Sequence, residues 1–170
     1  MRTVKVSVVP YRAAWRSDFE KIKCELEAAL GALALSVEHI GSTSVEGLSA
    51  KPCIDIDVVI KERSYLPEVI ERLANIGYIH EGNLGIEGRE AFDYKDKPHL
   101  AKHHLYVCHA SSAELRRHIA FRDYLRANPE AVKEYSRVKE EGAELFPFDI
   151  DKYIEHKTPF IKKVYELIGI

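Results

Sequence analysis

Two aspartates, Asp55 and Asp57, alternate with apolar residues in the run Ile54-Asp55-Ile56-Asp57-Val58. Side chains alternate faces along a strand, so the two carboxylates share one face, about 7 Å apart, and Ile54, Ile56 and Val58 share the other. Carboxylates spaced like this can converge on one hard divalent cation, Mg²⁺ or Mn²⁺, because such ions prefer oxygen ligands. Thr43 to Ile54 separate Asp55 from Ser42 of the Gly41-Ser42 turn, which offers free backbone N–H groups and a hydroxyl to a phosphate. A metal site beside a phosphate site is what in-line phosphoryl or nucleotidyl transfer requires.

Cations placed against the helical pattern point the same way. On a helical wheel for residues 113 to 127, Leu115, Ile119, Phe121 and Leu125 define an apolar arc. Arg122 and Arg126 fall inside it, with His118 beside them. In the next helix Val132, Tyr135, Val138 and Ala143 mark the buried side, and Lys139 lies within it. In the last, Lys157 projects with Tyr153, Phe160, Val164 and Leu167. An unpaired charge on a core face is costly. These four cations therefore need buried acids, a route to the rim, or a cleft. Taken together they are read as a cationic wall facing Asp55 and Asp57, able to hold a triphosphate and its metal. Lys51, just before the acidic strand, and Arg89, opening a later one, complete the candidate phosphate ligands with Gly41 and Ser42.

The stretch GSTSVEGLSAKPCIDIDVVI resembles the core motif of the GrpB family, also called UPF0157, with Glu46 where that family usually has proline. The resemblance continues through GYIHEG, HHLYV, FRDYLRANPEAVKEY and a closing Tyr-x-x-x-Lys, nearly the whole chain. It implies the nucleotidyltransferase-like fold of the polymerase β-like superfamily: an α+β mixed sheet flanked by helices, with a helical C-terminal third. It also implies a Mg²⁺-dependent nucleotidyltransferase acting on a nucleoside triphosphate and an unknown acceptor. Active members of that superfamily add a third carboxylate on a neighbouring strand. The matching strand here, HHLYVC, offers His103, His104 and Tyr106 but no acid. His104 is left with several roles: metal ligand, general base, phosphate-binding group or structural histidine. Glu90 and Asp93 are the alternative acids. The competing function is a non-catalytic nucleotide- or phosphate-binding module of the same fold.

The elements that must position these groups follow from periodicity. Val4, Val6 and Val8 suggest an edge strand closed by Pro10. Trp15, Phe19, Ile22, Leu26 and Leu30 recur at three- and four-residue steps, which predicts a helix over 13–31. Strands are expected at 34–40, across Asp55 and Asp57, at 78–80, 89–94 and 102–109. A helix follows Pro67, with Gly77 as its cap, and a glycine-rich loop covers 81–90. Three helices end the chain, the last with a break or kink at Pro159.

With 170 residues, no linker and no internal repeat, the chain reads as one domain, 1–170. A net charge of −2 provides no basic field for long nucleic acid. Three cysteines without C-x-x-C spacing suit reduced thiols in the cytoplasm, and the start of the chain is too short and too polar for a leader or a membrane span. A zinc site from His99, His103, His104 and His109 is disfavoured, because strand alternation sends His103 and His104 to opposite faces.

Overall fold

A computed structural model describes residues 4–170. Its centre is a five-stranded mixed sheet in the order β1-β2-β5-β4-β3. The strands are β1 (Ala34–Ile40), β2 (Ile54–Ile60), β3 (Tyr78–Gly82), β4 (Arg89–Tyr94) and β5 (His103–His109). β2 runs antiparallel to β1 and parallel to β5, and β5 is antiparallel to β4. The acidic strand is therefore central and covered on both edges, as its dense branched apolar residues favour.

The strand face carrying Ile54, Ile56, Val58 and Ile60 packs on helix α1 (Ala14–Leu30) and helix α2 (Leu66–Asn75). From α1 come Trp15, Phe19, Ile22, Leu26 and Leu30, all buried, as their spacing requires. Three of them are wholly sealed from solvent, and each such aliphatic side chain contributes about 1.5–3 kcal/mol. Helices α3 (Ala113–Ala127), α4 (Pro129–Leu145) and α5 (Ile150–Ile168) lie against the other side of the molecule. Their common core includes Leu125, Val132, Tyr135, Phe160 and Val164, and into it the loop after β1 inserts Val45 and Leu48. The loop between the two aspartate-positioning strands is thus also part of the helical core. α4 and α5 approach closely at Gly142, where a Cβ would lie 3.0 Å from the His156 ring and 3.1 Å from Tyr153.

Three expectations need correction. Val4 to Val8 form no strand; Val6 donates its N–H to Pro147 and a single bridge joins Val9 to Ala50. Proline at residue 10 has no N–H to donate, so the pairing does not continue past Val9. Helix α5 runs through Pro159 as one element. Leu167 is 62% exposed rather than inward, because Ile168, one turn beyond Val164, takes the place against the helical core. Met1–Thr3, the beginning of the segment read as neither leader nor span, lie outside the described residues. No helix among the described residues is long and apolar enough to cross a membrane.

His39 shows how tightly the loop after β1 is held. Its ring stacks on Phe19 at 4.6 Å and its Nε2 meets the Thr43 hydroxyl at 2.9 Å. Burial, reinforced by Arg126 and Arg122, pushes its pKa down to about 4, so the ring is neutral. The unfolded chain binds the extra proton first, so this contribution to stability is present above about pH 6.5 and lost as pH falls toward 4. We predict that His39→Gln flattens the acid limb of the stability–pH profile by up to about 3 kcal/mol, measured by urea unfolding at pH 7 and pH 4.5.

Candidate functional site

The backbone first sets where the two acids stand. Register pairs Asp55 with Ile40 on one side and His104 on the other, and Asp57 with Glu38 and Tyr106. Both carboxylates project from the face opposite the α1 core, but into different surroundings. The Asp55 side chain is 30% exposed, whereas that of Asp57 is fully buried.

Gly41 is fixed by Asp55. Its φ is 71°, and a Cβ there would sit 2.4 Å from Asp55 Oδ2. The turn that exposes Ser42 therefore exists only because residue 41 lacks a side chain. Asp55 Oδ1 meets His104 Nδ1 at 3.0 Å. Hydrogen bonds to Asp55 and to the Cys53 thiol push the His104 pKa up to about 10, so at neutral pH the ring is a cation half in solvent. The contact makes His104 a charge partner of Asp55 in this arrangement.

Asp57 has a partner that the sequence reading passed over. His118 on α3 brings Nδ1 to Asp57 Oδ2 at 2.6 Å, while its Nε2 meets Glu114 at 3.1 Å. Burial would lower the His118 pKa, but two flanking carboxylates outweigh it and raise the value. Burial raises the Asp57 pKa, only partly offset by His118. Asp57 Oδ1 is buried without a hydrogen-bond partner. The usable signal was the four-residue ladder Glu114, His118, Arg122, Arg126, one ionisable stripe along α3.

That ladder divides the expected cationic wall. Arg122 pairs with Glu38 at 2.8 Å and Asp123 at 2.9 Å and also donates to the His39 carbonyl. Arg126 grips the Ser44 carbonyl through Nε and Nη2 at 3.0 and 2.8 Å. Both arginines therefore clamp β1 and its following loop, and they line a cavity of about 680 Å³ whose walls include neither aspartate. Arg89 stands on the ring of Tyr106, the residue β5 sets beside Asp57. Its guanidinium lies 4.4 Å above the Tyr106 ring, with Nε buried and unpartnered. The glycine-rich loop before it lines a separate cavity of about 250 Å³ with Ile60, Val107 and His109.

Lys51, Lys139 and Lys157 do gather near Asp55. Lys139 is 3% exposed, and its ammonium donates to the Ser42 hydroxyl and, at 3.3 Å, to the Ser49 carbonyl. Burial, then repulsion from Lys157, pushes its pKa down to about 7, against the pull of Asp55. The Lys157 pKa is lowered by burial and by Lys51. Among the described residues none of the three forms an ion pair with a carboxylate. Ser136 and Glu140, beside Lys139 on α4, hold the backbone N–H and hydroxyl of Ser49 at 3.0 and 2.6 Å. α4 thus fixes the loop from both ends while leaving positive charge unneutralised beside Ser42.

Residues 5–167 match the family described as GrpB protein. The chain belongs to the GrpB family. It is 33% identical over 162 residues to the UPF0157 protein YqkA of Bacillus subtilis, covering 95% of this chain and 47% of that relative, so it spans about half the relative's length. A crystal structure of GrpB from Enterococcus faecalis is similar at TM-score 0.82 with 37% identity, covering 94% of this chain and 95% of that one. The Cid1 poly(U) polymerase, in a structure with bound MgATP, matches at TM-score 0.53 and 12% identity over 78% of this chain and 45% of that one, a likeness of fold alone. A dephospho-CoA kinase of Mycolicibacterium paratuberculosis is 26% identical over 183 residues, covering 94% of this chain and 45% of the kinase. The sheet and its C-terminal helices thus have the nucleotidyltransferase-like fold expected from the motif.

The contact between Gly41 and Asp55 yields a direct test. Gly41→Ala should cost about 2 kcal/mol or more, from the positive φ and the clash together. In a double-mutant cycle with Asp55→Ala, urea unfolding should recover part of that loss. Additive losses would place the penalty in the backbone alone.

Proposed function

We propose that this GrpB chain is a metal-dependent nucleotidyltransferase acting on a small acceptor. The observation that carries the reading is the group of Lys51, Lys139 and Lys157, unpaired with any carboxylate among the described residues, beside Asp55 and the Gly41-Ser42 turn. Uncompensated ammonium groups at a half-buried site favour a polyanion that neutralises them. Lys139 would meet the terminal phosphates together with Ser42, and Lys157 and Lys51 would flank them.

Asp55 and Asp57 would hold Mg²⁺ or Mn²⁺. The fit is favourable at Asp57, where Oδ1 has no partner and His118 holds Oδ2 in place. No cluster of three or more metal-ligating side chains exists among the described residues, so phosphate oxygens and water would complete the shell, as Mg²⁺ commonly accepts. Bound there, the cation would stabilise charge on the phosphates as pyrophosphate departs. Asp55 keeps its orientation through His104, and Asp57 through His118 on α3.

A binding module without turnover is the second reading, and one observation favours it. The neighbouring strand β5 sets His104 and Tyr106, not an acid, opposite Asp55 and Asp57. β5 thereby supplies no carboxylate to take a proton from an acceptor. The similarity to dephospho-CoA kinases suits coenzyme or nucleotide chemistry under either reading. Three free thiols fit the cytoplasm as the compartment.

We predict that saturating MgATP raises the melting temperature by roughly 5–10 °C and that Asp55→Asn with Asp57→Asn abolishes the rise. An undiminished shift in the double variant would contradict the metal site. Pyrophosphate release with an acceptor panel separates the two readings: release selects the transferase, binding without release the module.

A further inference from the structure

At the end of the sheet where β2 and β5 begin lies a cavity of about 510 Å³ that shares Lys51 with the proposed phosphate site and is otherwise built from other residues. It is built from four separate stretches: the N-terminal segment, the loop into β2, the residue before β5, and the turn into α5. Its apolar wall includes Val4, Phe148 and Ile150, which are 80%, 61% and 42% exposed. Large apolar side chains converging from distant segments without covering one another mark a surface that binds something. Its rim carries Lys5, Lys51 and Lys102. None of these amines forms an ion pair among the described residues.

Two residues join this cavity to the acids. Lys51 belongs to its rim and also acts on Lys157. Cys53 lines it, lies two positions before Asp55, and is beside the His104 ring that Asp55 holds. A molecule seated in the cavity would therefore have one end next to Asp55 while its body stayed clear of Lys139.

We propose that this cavity is a binding subsite for a small amphipathic anion, a molecule with an aliphatic or aromatic body and one carboxylate or phosphate. The apolar wall matches the body and the three lysines match the charge. The volume is that of small-molecule sites, roughly 300–1,000 Å³, and the surface is concave, which favours a discrete ligand over a lipid surface. Its role as the acceptor site rests on the transferase reading; the binding itself does not.

Octanoate is the probe, octan-1-ol its uncharged control, and phosphatidylserine vesicles the test of a membrane surface. In ¹H–¹⁵N spectra octanoate should shift the amides of Cys53, Lys102 and Phe148, and octan-1-ol should bind about tenfold more weakly or not at all. Lys5→Gln with Lys102→Gln should weaken octanoate about tenfold and leave the MgATP response intact. In a Cys24→Ser background, octanoate should slow alkylation of Cys53 by iodoacetamide severalfold. Shifts elsewhere, equal binding of octan-1-ol, or vesicle binding without octanoate binding would overturn the subsite. Loss of the MgATP response with octanoate binding retained would overturn only the nucleotide reading.

Discussion

A buried ammonium group with no carboxylate partner sets the terms for this molecule. Lys139 reaches from α4 to Ser42 and Ser49, so it ties the helical third to the loop that presents the Gly-Ser turn. Two neutral oxygens satisfy its hydrogen bonds but not its charge, and burial disfavours that charge. Lys157 and Lys51 add repulsion, and Asp55 is the one anion acting against it. Such an arrangement lowers stability in the free protein and is relieved by any bound polyanion. Strained electrostatics of this kind concentrate at functional sites.

The rest of the fold holds that charge in place. The loop between β1 and β2 is fastened four ways: His39 to Thr43, Arg126 to the Ser44 carbonyl, Val45 and Leu48 in the helical core, and Ser136 with Glu140 to Ser49. Gly41 permits Asp55 to sit directly on the turn. Along α3, one stripe serves two ends. Glu114 and His118 support Asp57, while Arg122 and Arg126 secure β1 and its loop. The site therefore lies between two cores, one under the sheet and one among the helices, and neither can shift without moving it.

Much of this was legible in the residues. Period-two and period-four patterns located the strands and helices, because each buries one face and the sequence must mark that face. The Asp-x-Asp strand and its Gly-Ser partner were readable for the same reason, and so was the placement of HHLYVC beside them. The wheel also found the anomalous cations. What it could not give was their partners. Arg122 and Lys139 look alike on a wheel, yet one meets Glu38 across the sheet edge and the other meets hydroxyl and carbonyl oxygens and the Tyr135 ring. That distinction depends on long-range packing between α3, α4 and β1, which no local period encodes. The same holds for His118, whose neighbour Asp57 is distant in the chain. The failed strand at Val4–Val8 is the complementary case: alternation was present, but the segment lies against Pro147 and the Val9–Ala50 bridge rather than on an edge of the sheet.

The central claim is that burial and the neighbouring lysines disfavour the charge of Lys139 until a polyanion binds beside it. An NMR titration of its ε-methylene group tests this most directly. The account requires a pKa near 7 in the free protein, rising by about one unit or more when magnesium tripolyphosphate is added. A lysine that titrates near the ordinary 10.5, unmoved by tripolyphosphate, would contradict it.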